Sequence, residues 1–309
     1  MSQWVVGIDL GATKIALGLI NPNNRIVARE RVLTSVEQGP QAAVERIAQS
    51  IDKLKDTLPS GESIAAAGIC SPGPLDHEAG MILDPPNLTG WRDVPLRQML
   101  TDRLNMNVAL EHDAKAAALG EYHYGVAQSE RSMAYIVVGT GVGAAFILDG
   151  QLYRGLHNSA GEVGGMTIDR DGDPCSSGIR GCVQGYMRGP ALARRYQALS
   201  NDQKSVTGEQ VAQLAAQGDE TARQVMTQAG ESLGIAIASL AMVLDIELYV
   251  IGGSVVKAGD LLLEPARNIV PAYAFNSIAA HVRIAPAQLG DDGPILGCGW
   301  LAKQSIDNE

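Results

Sequence analysis

The chain is predicted to be an α/β protein of two domains, on three observations. Its 309 residues, 46% of them hydrophobic, suffice to bury two cores of ordinary size. Strand-like apolar runs alternate with helical periodicities, the pattern of α/β layers. A unit of strand, glycine turn and strand occurs twice, over 5–20 and again over 135–148, so the two halves share a motif.

The first turn is Gly7-Ile8-Asp9-Leu10-Gly11-Ala12-Thr13-Lys14, after a strand over 4–6; the second is Gly139-Thr140-Gly141-Val142-Gly143, after a strand over 133–138. Residues 15–20 and 144–148 continue as extended apolar runs, which makes both turns hairpins. A Walker loop or dinucleotide-binding turn would open a helix there. Glycine turns expose backbone N–H groups with no side chain in the way of an anion. Two of them, one per half, suit a nucleotide held in a cleft between two domains.

Along the first half, Val44, Ile47, Ile51, Leu54 and Leu58 recur at helical spacing, with Lys53 and Lys55 near the end and Pro59-Ser60-Gly61 closing the segment, an amphipathic helix covering a sheet. A buried strand over 64–70 ends in Ser71-Pro72-Gly73-Pro74, a rigid turn at a strand's carboxyl end, where ligand clefts of open α/β sheets lie. The loop Asp84-Pro85-Pro86-Asn87-Leu88-Thr89-Gly90-Trp91 pairs an amide with an aromatic; its plain structural reading is a turn with Trp91 plugging the core. A strand over 108–110 leads to Asp113 and an alanine-rich helix over 114–122. A lone carboxylate at that junction is what phosphoryl transfer from ATP to a hydroxyl requires, and it also suits a helix N-cap.

Beyond the second hairpin, 155–189 is glycine-dense and irregular, a length of loop that in a compact chain is functional or disordered. Thr207 and Gln210 form a capping box, and 219–244 is a long apolar helix whose Ala229, Gly230, Gly234 and Ala238 predict close packing. A strand over 248–251 ends in a third glycine turn, Gly252-Gly253-Ser254, and Asp291, Asp292 and Pro294 introduce a last helix over 295–303.

A net charge of −10 without a basic block argues against nucleic acid as a partner. No run approaches the ~18 apolar residues of a membrane span, and the N-terminus enters a strand without a secretory signal, so a cytoplasmic protein is expected. Cys70 and Cys298 read as small buried apolar residues; with Cys175 and Cys182 they do not suggest a disulfide framework.

In order, the motifs DLGATK at 9–14, PGP at 72–74, NLTGW at 87–91, EHDAKAAALGE at 111–121, GTGVGAA at 139–145, and AGEVGG followed by CSSGIRGCVQGY resemble the ROK family of sugar kinases and related repressors, within the actin-like ATPase superfamily. The family's usual forms are DxGGTK, VPG, NLPGW, ENDANAAALGE, GTGxGxG, AGExGH and CxCGxxGCxE. The resemblance implies a two-domain actin-like (ribonuclease H-like) ATPase fold with a cleft between domains 1–113 plus 294–309 and 114–293. It places Gly11, Thr13, Lys14, Gly139, Thr140, Gly141 and Gly143 near the phosphates of ATP, and Gly252 and Gly253 beside the adenosine. Asp9 would hold Mg²⁺ through water, since Mg²⁺ keeps its hydration shell. Asp113 matches the catalytic aspartate that accepts the hydroxyl proton, and Gly73, Asn87, His112, Glu162 and Gln184 join it around the sugar.

The pattern breaks at the sugar ring. Glu162 survives, but His112 stands where the asparagine is usual, Gly165 replaces the histidine of the GH motif, and Gln184 replaces the CxE glutamate. A site built to hydrogen-bond a hydroxyl discriminates by ~10⁴ when the pairing is wrong, so the substrate can differ from glucose. His112 or the nearby His157 is a candidate to compensate. The same changes disrupt the family's structural zinc site, where this chain has Gly165, Cys175, Ser177 and Cys182. Two thiolates cannot complete a tetrahedral zinc shell, so structural zinc is expected to be absent unless His157 or Asp173 rescues the site. The loop is then held by packing, or orders when sugar binds.

The expected function is an ATP-dependent hexose kinase, glucokinase-like, acting on the 6-hydroxyl. Competing readings are a kinase for an N-acetylhexosamine, fructose, mannose, an amino sugar or a cyclitol; a sugar-binding pseudokinase; and a sugar-responsive repressor. A repressor carries a helix-turn-helix domain ahead of the phosphate loop, for which Asp9 leaves no room. Intact Asp9, Thr13, Asp113 and both glycine turns oppose the pseudokinase. Family members are often dimers, which makes a homodimer the assembly to test.

Overall fold

The computed structural model describes residues 3–200 and 206–307; the outermost residues of the expected domain ranges, 1–2 and 308–309, lie outside the described residues. In chain order the first half carries β1 (Trp4–Leu10), β2 (Lys14–Ile20), β3 (Ile26–Leu33), α1 (Gly39–Lys55), β4 (Ile64–Ser71), the short β5 (Leu75–Asp76) and β6 (Met81–Ile82), α2 (Leu96–Leu104), β7 (Asn107–His112) and α3 (Asp113–Tyr124). The second half carries β8 (Met133–Val138), β9 (Val142–Leu148), β10 (Gln151–Tyr153), α4 (Gln184–Met187), α5 (Gly189–Ser200), α6 (Gly208–Ala216), α7 (Glu220–Leu244), β11 (Leu248–Gly252), α8 (Asp260–Tyr273), α9 (Asn276–Ala279), β12 (Arg283–Pro286) and α10 (Asp292–Asp307).

Two compact units result: Met1–Gln128 with Arg154–Ser159 and Asp291–Glu309, and Ser129–Tyr153 with Ala160–Gly290. The boundary expected at 113 lies instead after α3, and residues 154–159 join the first unit. The reason is packing: α3 lies along α10, and both belong to the first unit.

In the first unit a five-stranded sheet runs β3-β2-β1-β4-β7, with β1, β2 and β3 an antiparallel meander and β4 and β7 parallel to β1. Strands covered on both faces read as near-continuous apolar runs, as β1 and β4 do, whereas β3 alternates in burial along its length. The stripe of α1 is buried at Val44, Ile47, Ile51 and Leu54, as its periodicity predicts. α10 packs on β1 and β4 so closely that a Cβ at Gly7 or Gly68 would strike its backbone carbonyls at Ile295 and Cys298. It begins at Asp292, a turn earlier than 295, because Asp292 and Gly293 already adopt helical geometry ahead of Pro294, which is tolerated in a first turn.

The second unit repeats the arrangement. Its sheet runs β10-β9-β8-β11-β12, a meander of β8, β9 and β10 followed by parallel β11 and β12. The weak internal repeat read from the glycine turns is therefore a repeat of sheet topology. Asp219 caps α7, and Thr207 and Gln210 form the reciprocal capping box of α6. Gly230 and Gly234 meet the carbonyls of Leu262 and Ala266, which is why small residues recur there: α7 and α8 pack backbone to backbone. By length and composition α7 could cross a membrane, yet much of its apolar surface lies in this unit's core, with Val225, Met226, Leu233 and Ile237 fully buried and Met242 and Val243 exposed near its end.

The glycine-dense stretch 155–189 holds one tight turn, Val163–Gly165, and α4. Isolated bridges pair Thr167 with Cys182 and Pro174 with Arg180. They fold the segment back on itself, so Cys175 and Cys182, 6.4 Å apart at Cα, are joined as a disulfide. The sequence alone did not suggest this pairing. Cys70 and Cys298 are free and buried, as expected.

Candidate functional site

In the first unit, β1 and β2 form the expected hairpin, paired from Val5↔Ile20 to Leu10↔Ile15, and the Gly11 N–H donates to the Lys14 carbonyl at 3.0 Å. Fully buried Thr34, unsuspected from sequence, braces the turn: its hydroxyl donates to the Gly11 carbonyl at 2.6 Å and its N–H to Thr13 O at 3.0 Å. Lys14 Nζ lies 3.5 Å from Asp291 on the turn leading into α10, where Arg31 also reaches that carboxylate. Together with Asp9, Lys14, Arg29, Asp291 and Asp292, Arg31 lines a cavity of about 210 Å³.

Asp9 sits in β1 between Ala16 of β2 and Cys70 of β4, and its Oδ1 accepts from the Cys70 thiol at 3.5 Å. Burial first and the Asp113 charge second, with a smaller contribution from Asp291, push its carboxyl up to about 6 against the opposing Cys70 thiol and Lys14. Asp9 and Asp113 are thus close enough to repel.

Asp113 is the first residue of α3, immediately after β7. His112, not Asp113, occupies the N-cap: its backbone is extended and its Nδ1 accepts from Ala114 N at 3.3 Å. Asp113 Oδ1 accepts from the same N–H at 2.6 Å and lies 3.0 Å from His112 Nδ1. The ring of His112 faces Gly73, where a Cβ would come 2.7 Å from Cδ2 and 2.8 Å from Nε2. The first unit therefore gathers Gly73, His112 and Asp113. Asn87 is exposed on its loop, whereas Trp91 is buried with its indole N–H donating to Val36 O at 3.3 Å, the core plug its sequence suggested.

Two buried charges flank Asp113. Glu111, with no exposed surface, accepts from Arg154 Nε at 2.8 Å and from His112 N at 2.9 Å. Lys115, buried, donates to Asn158. Both contacts hold 154–158 to the first unit; His157, between them, is exposed.

In the second unit the β8–β9 hairpin closes through the Gly139 N–H to Gly141 O at 2.9 Å, leaving Thr140 and Gly141 exposed and Gly143 paired with Val137. The Gly189 N–H donates to Gly139 O at 2.9 Å, tying the start of α5 to this turn. Gly252 ends β11, and Gly253 has φ 90°, a left-handed conformation that brings its Cα against the Val138 carbonyl. Next to these turns, Gly189, Gly208, Ala212, Ser254, Val255 and Leu261 line a cavity of about 240 Å³ whose α6 wall carried no sequence signal.

The remaining sugar-ring positions also lie in the second unit. Glu162 is exposed after Gly161, whose carbonyl accepts from Ala144 N at 2.7 Å. Gln184, at the head of α4, donates its Nε2 to Ser177 Oγ at 3.0 Å. Gly165 supplies no donor, Ser177 Oγ is 3.0 Å from Cys175 Sγ, and Cys175 and Cys182 are bonded to each other, so the donor set does not fit zinc. Asp173 lines a separate cavity of about 470 Å³ with Cys175, Tyr186 and Arg195, and among the described residues no cluster of His, Cys, Asp or Glu suited to a metal forms.

Comparison with known proteins agrees with this architecture. The model of the ROK family matches residues 5–305. The chain is 34% identical over 316 residues to the glucokinase of Halalkalibacterium halodurans, covering 98% of this chain and 96% of that one. It is 32% identical to a putative xylose repressor of Caldicellulosiruptor sp., covering 95% of this chain and 76% of the repressor. The crystal structure of a ROK family glucokinase from Streptomyces griseus, in complex with glucose and AMPPNP, superposes with a TM-score of 0.81 at 29% identity, covering 97% of this chain and 99% of that one. The repeated meander-plus-parallel sheet is the actin-like ATPase fold, and with the family model spanning nearly its whole length the chain belongs to the ROK family.

Proposed function

We propose that the protein is an ATP-dependent kinase of hexoses, glucokinase-like, that transfers the γ-phosphoryl group to the 6-hydroxyl. The observation that carries this reading is two carboxylates on one sheet, Asp9 in β1 and Asp113 after β7 with β4 between them, near enough that the Asp113 charge helps raise the Asp9 carboxyl. A pair so placed divides the work: one carboxylate faces a cation, the other a hydroxyl proton. Asp113, at the head of α3, accepts the proton of the sugar hydroxyl as it attacks. In a loose transition state positioning dominates, and a general base contributes about 10² to 10⁴-fold.

The donor set fits Mg²⁺, because a half-buried carboxylate raised to about 6 is one that a cation would relieve. Asp9 would hold the ion through water, and the ion would supply positive charge to offset the charge that develops on the transferred group. The turn of Gly11, Thr13 and Lys14, with the Lys14 ammonium, and the turn of Gly139, Thr140, Gly141 and Gly143 face the phosphates. Gly252 and Gly253 leave room for the adenosine. Gly73, Asn87 and His112, with Glu162 and Gln184, orient the sugar. A cytoplasmic enzyme, homodimeric and without nucleic-acid or membrane partners, is the setting this reading carries.

A second reading, a kinase for another sugar, is favoured by His112, Gly165 and Gln184, each a change from the family's pattern in the ring. Mg·ATP-dependent phosphorylation across hexoses, hexosamines, their N-acetyl forms and cyclitols tests both. Turnover of glucose near ~10⁴ M⁻¹s⁻¹ or above supports the first, and strong activity confined to another sugar the second. Sugar binding with no transfer to any of them would sink both and leave a pseudokinase.

A further inference from the structure

We propose that Ser177 is a positioning residue for Gln184, and that the pair sets which donor group of the acceptor sugar the second unit recognises. The proposal rests on the reading that Gln184 faces the sugar. Both positions depart from the family's pattern, cysteine to serine and glutamate to glutamine, and the structure puts the two departures in direct contact: Gln184 Nε2 donates to Ser177 Oγ at 3.0 Å. Ser177 Oγ lies 3.0 Å from Cys175 Sγ, and Gln184 Nε2 lies 3.7 Å from the same sulfur.

The polarity of this network follows from the disulfide. Cys175 is bonded to Cys182 and carries no S–H, so its sulfur only accepts. The Ser177 hydroxyl proton therefore goes to the sulfur, and its lone pair faces an N–H. The amide of Gln184 is held with Nε2 toward the loop, which leaves Oε1 as a neutral acceptor. An ionised glutamate at 184 would have no N–H to give; it would draw the Ser177 hydroxyl proton to itself and leave the Cys175 sulfur, an acceptor only, facing negative charge. The serine and the glutamine therefore suit each other, and together they replace a carboxylate by a single oriented carbonyl that takes a hydrogen bond from a sugar O–H or an amide N–H.

Calorimetric titration with glucose, mannose, fructose and N-acetylglucosamine, run on the wild type, Ser177→Ala, Ser177→Thr, Gln184→Ala and the Ser177→Ala/Gln184→Ala double variant, tests this, alongside steady-state kinetics for each sugar that turns over. For the tightest-binding sugar, Ser177→Ala is expected to weaken binding about tenfold while KM for ATP holds, the loss of one oriented hydrogen bond. Ser177→Thr, which keeps the oxygen, restores it, and Ser177→Ala adds nothing once Gln184 is alanine. Independent, additive losses, or an equal rise in KM for ATP, would overturn the proposal. A wild type that binds sugar and shows the coupling but transfers no phosphate sinks the kinase reading and upholds the pair; one that transfers phosphate with Ser177→Ala indifferent does the reverse. Binding of none of these sugars overturns both.

Discussion

Lys115, at 2% exposure, donates its Nζ to two oxygens of one residue, the carbonyl of Asn158 at 2.6 Å and its Oδ1 at 2.8 Å. Asn158 in turn offers its Nδ2 to Leu75 O at 3.4 Å and adopts φ 56°, a left-handed conformation that asparagine tolerates. Two residues after Asp113, Lys115 thus fastens the 154–158 segment to the N-terminal end of α3, as Glu111 does two residues before it through Arg154.

Removing part of a buried charge's hydrogen bonding costs more than removing the charge itself. Asn158→Ala is therefore expected to destabilise the protein by about 1–3 kcal/mol, and Lys115→Met by less than Asn158→Ala. Denaturant unfolding of the two variants checks the order. An Asn158→Ala protein as stable as the wild type would show that the other contacts of Lys115 carry its charge.

Asp9 carries a stability cost whose sign is fixed. Its carboxyl is raised to about 6 in the fold against an ordinary 3.8, so between those values the folded state holds the proton more firmly than the unfolded chain. Its contribution is fully present below pH ~3.8 and is lost as pH rises through about 6. In metal-free buffer Asp9→Asn should flatten this part of the pH–stability curve and stabilise the protein at pH 7 by on the order of 2 kcal/mol, while turnover collapses. Parallel curves for the two proteins would show that neither burial nor the Asp113 charge raises this carboxyl in the fold.

What could be read beforehand was what is local in the chain. The glycine hairpins, the strand-to-helix junction at Asp113 and the capping box of Thr207 and Gln210 are set by residues a few positions apart. The clamps were not legible, because Lys115 and Asn158, like Glu111 and Arg154, are 43 residues apart and nothing in either segment names its partner. The unit boundary lies later than the junction at 113 suggests for a related reason: a junction of strand and helix looks like an edge, but α3 is retained by its packing on α10, which comes from the far end of the chain. The Cys175–Cys182 bond depends on the fold-back between Thr167 and Cys182 in a segment with no periodicity to read.

Asp113→Asn keeps the shape of the side chain and an acceptor oxygen for the sugar hydroxyl, but it cannot take up a proton as a base. Turnover is expected to fall by about 10² to 10⁴-fold or more, with sugar binding still measurable by calorimetry. Since Asp113 Oδ1 also accepts from Ala114 N at 2.6 Å, the melting temperature separates the roles. Lost activity at unchanged stability indicates proton transfer, whereas near wild-type turnover removes Asp113 from the chemistry.

The zinc loop offers the sharpest reversal. Gly165→His with Ser177→Cys would add an imidazole and a third thiol to Cys175 and Cys182, which the Thr167↔Cys182 bridge already holds near the 165 turn. A side chain at Gly165 would meet Ile179 Cδ1 at 3.3 Å, the tip of a flexible and 40% exposed side chain that can give way. Under reducing conditions the double variant is expected to take up one zinc ion per chain by metal analysis, where either single variant does not, because three thiolates and an imidazole complete a tetrahedron and fewer leave it open. Stoichiometric zinc in the wild type would show that other ligands complete the site. Since Ser177→Cys also removes the oxygen that holds Gln184, zinc uptake in the double variant should come with altered sugar affinity, so that metal and sugar binding change together through one position.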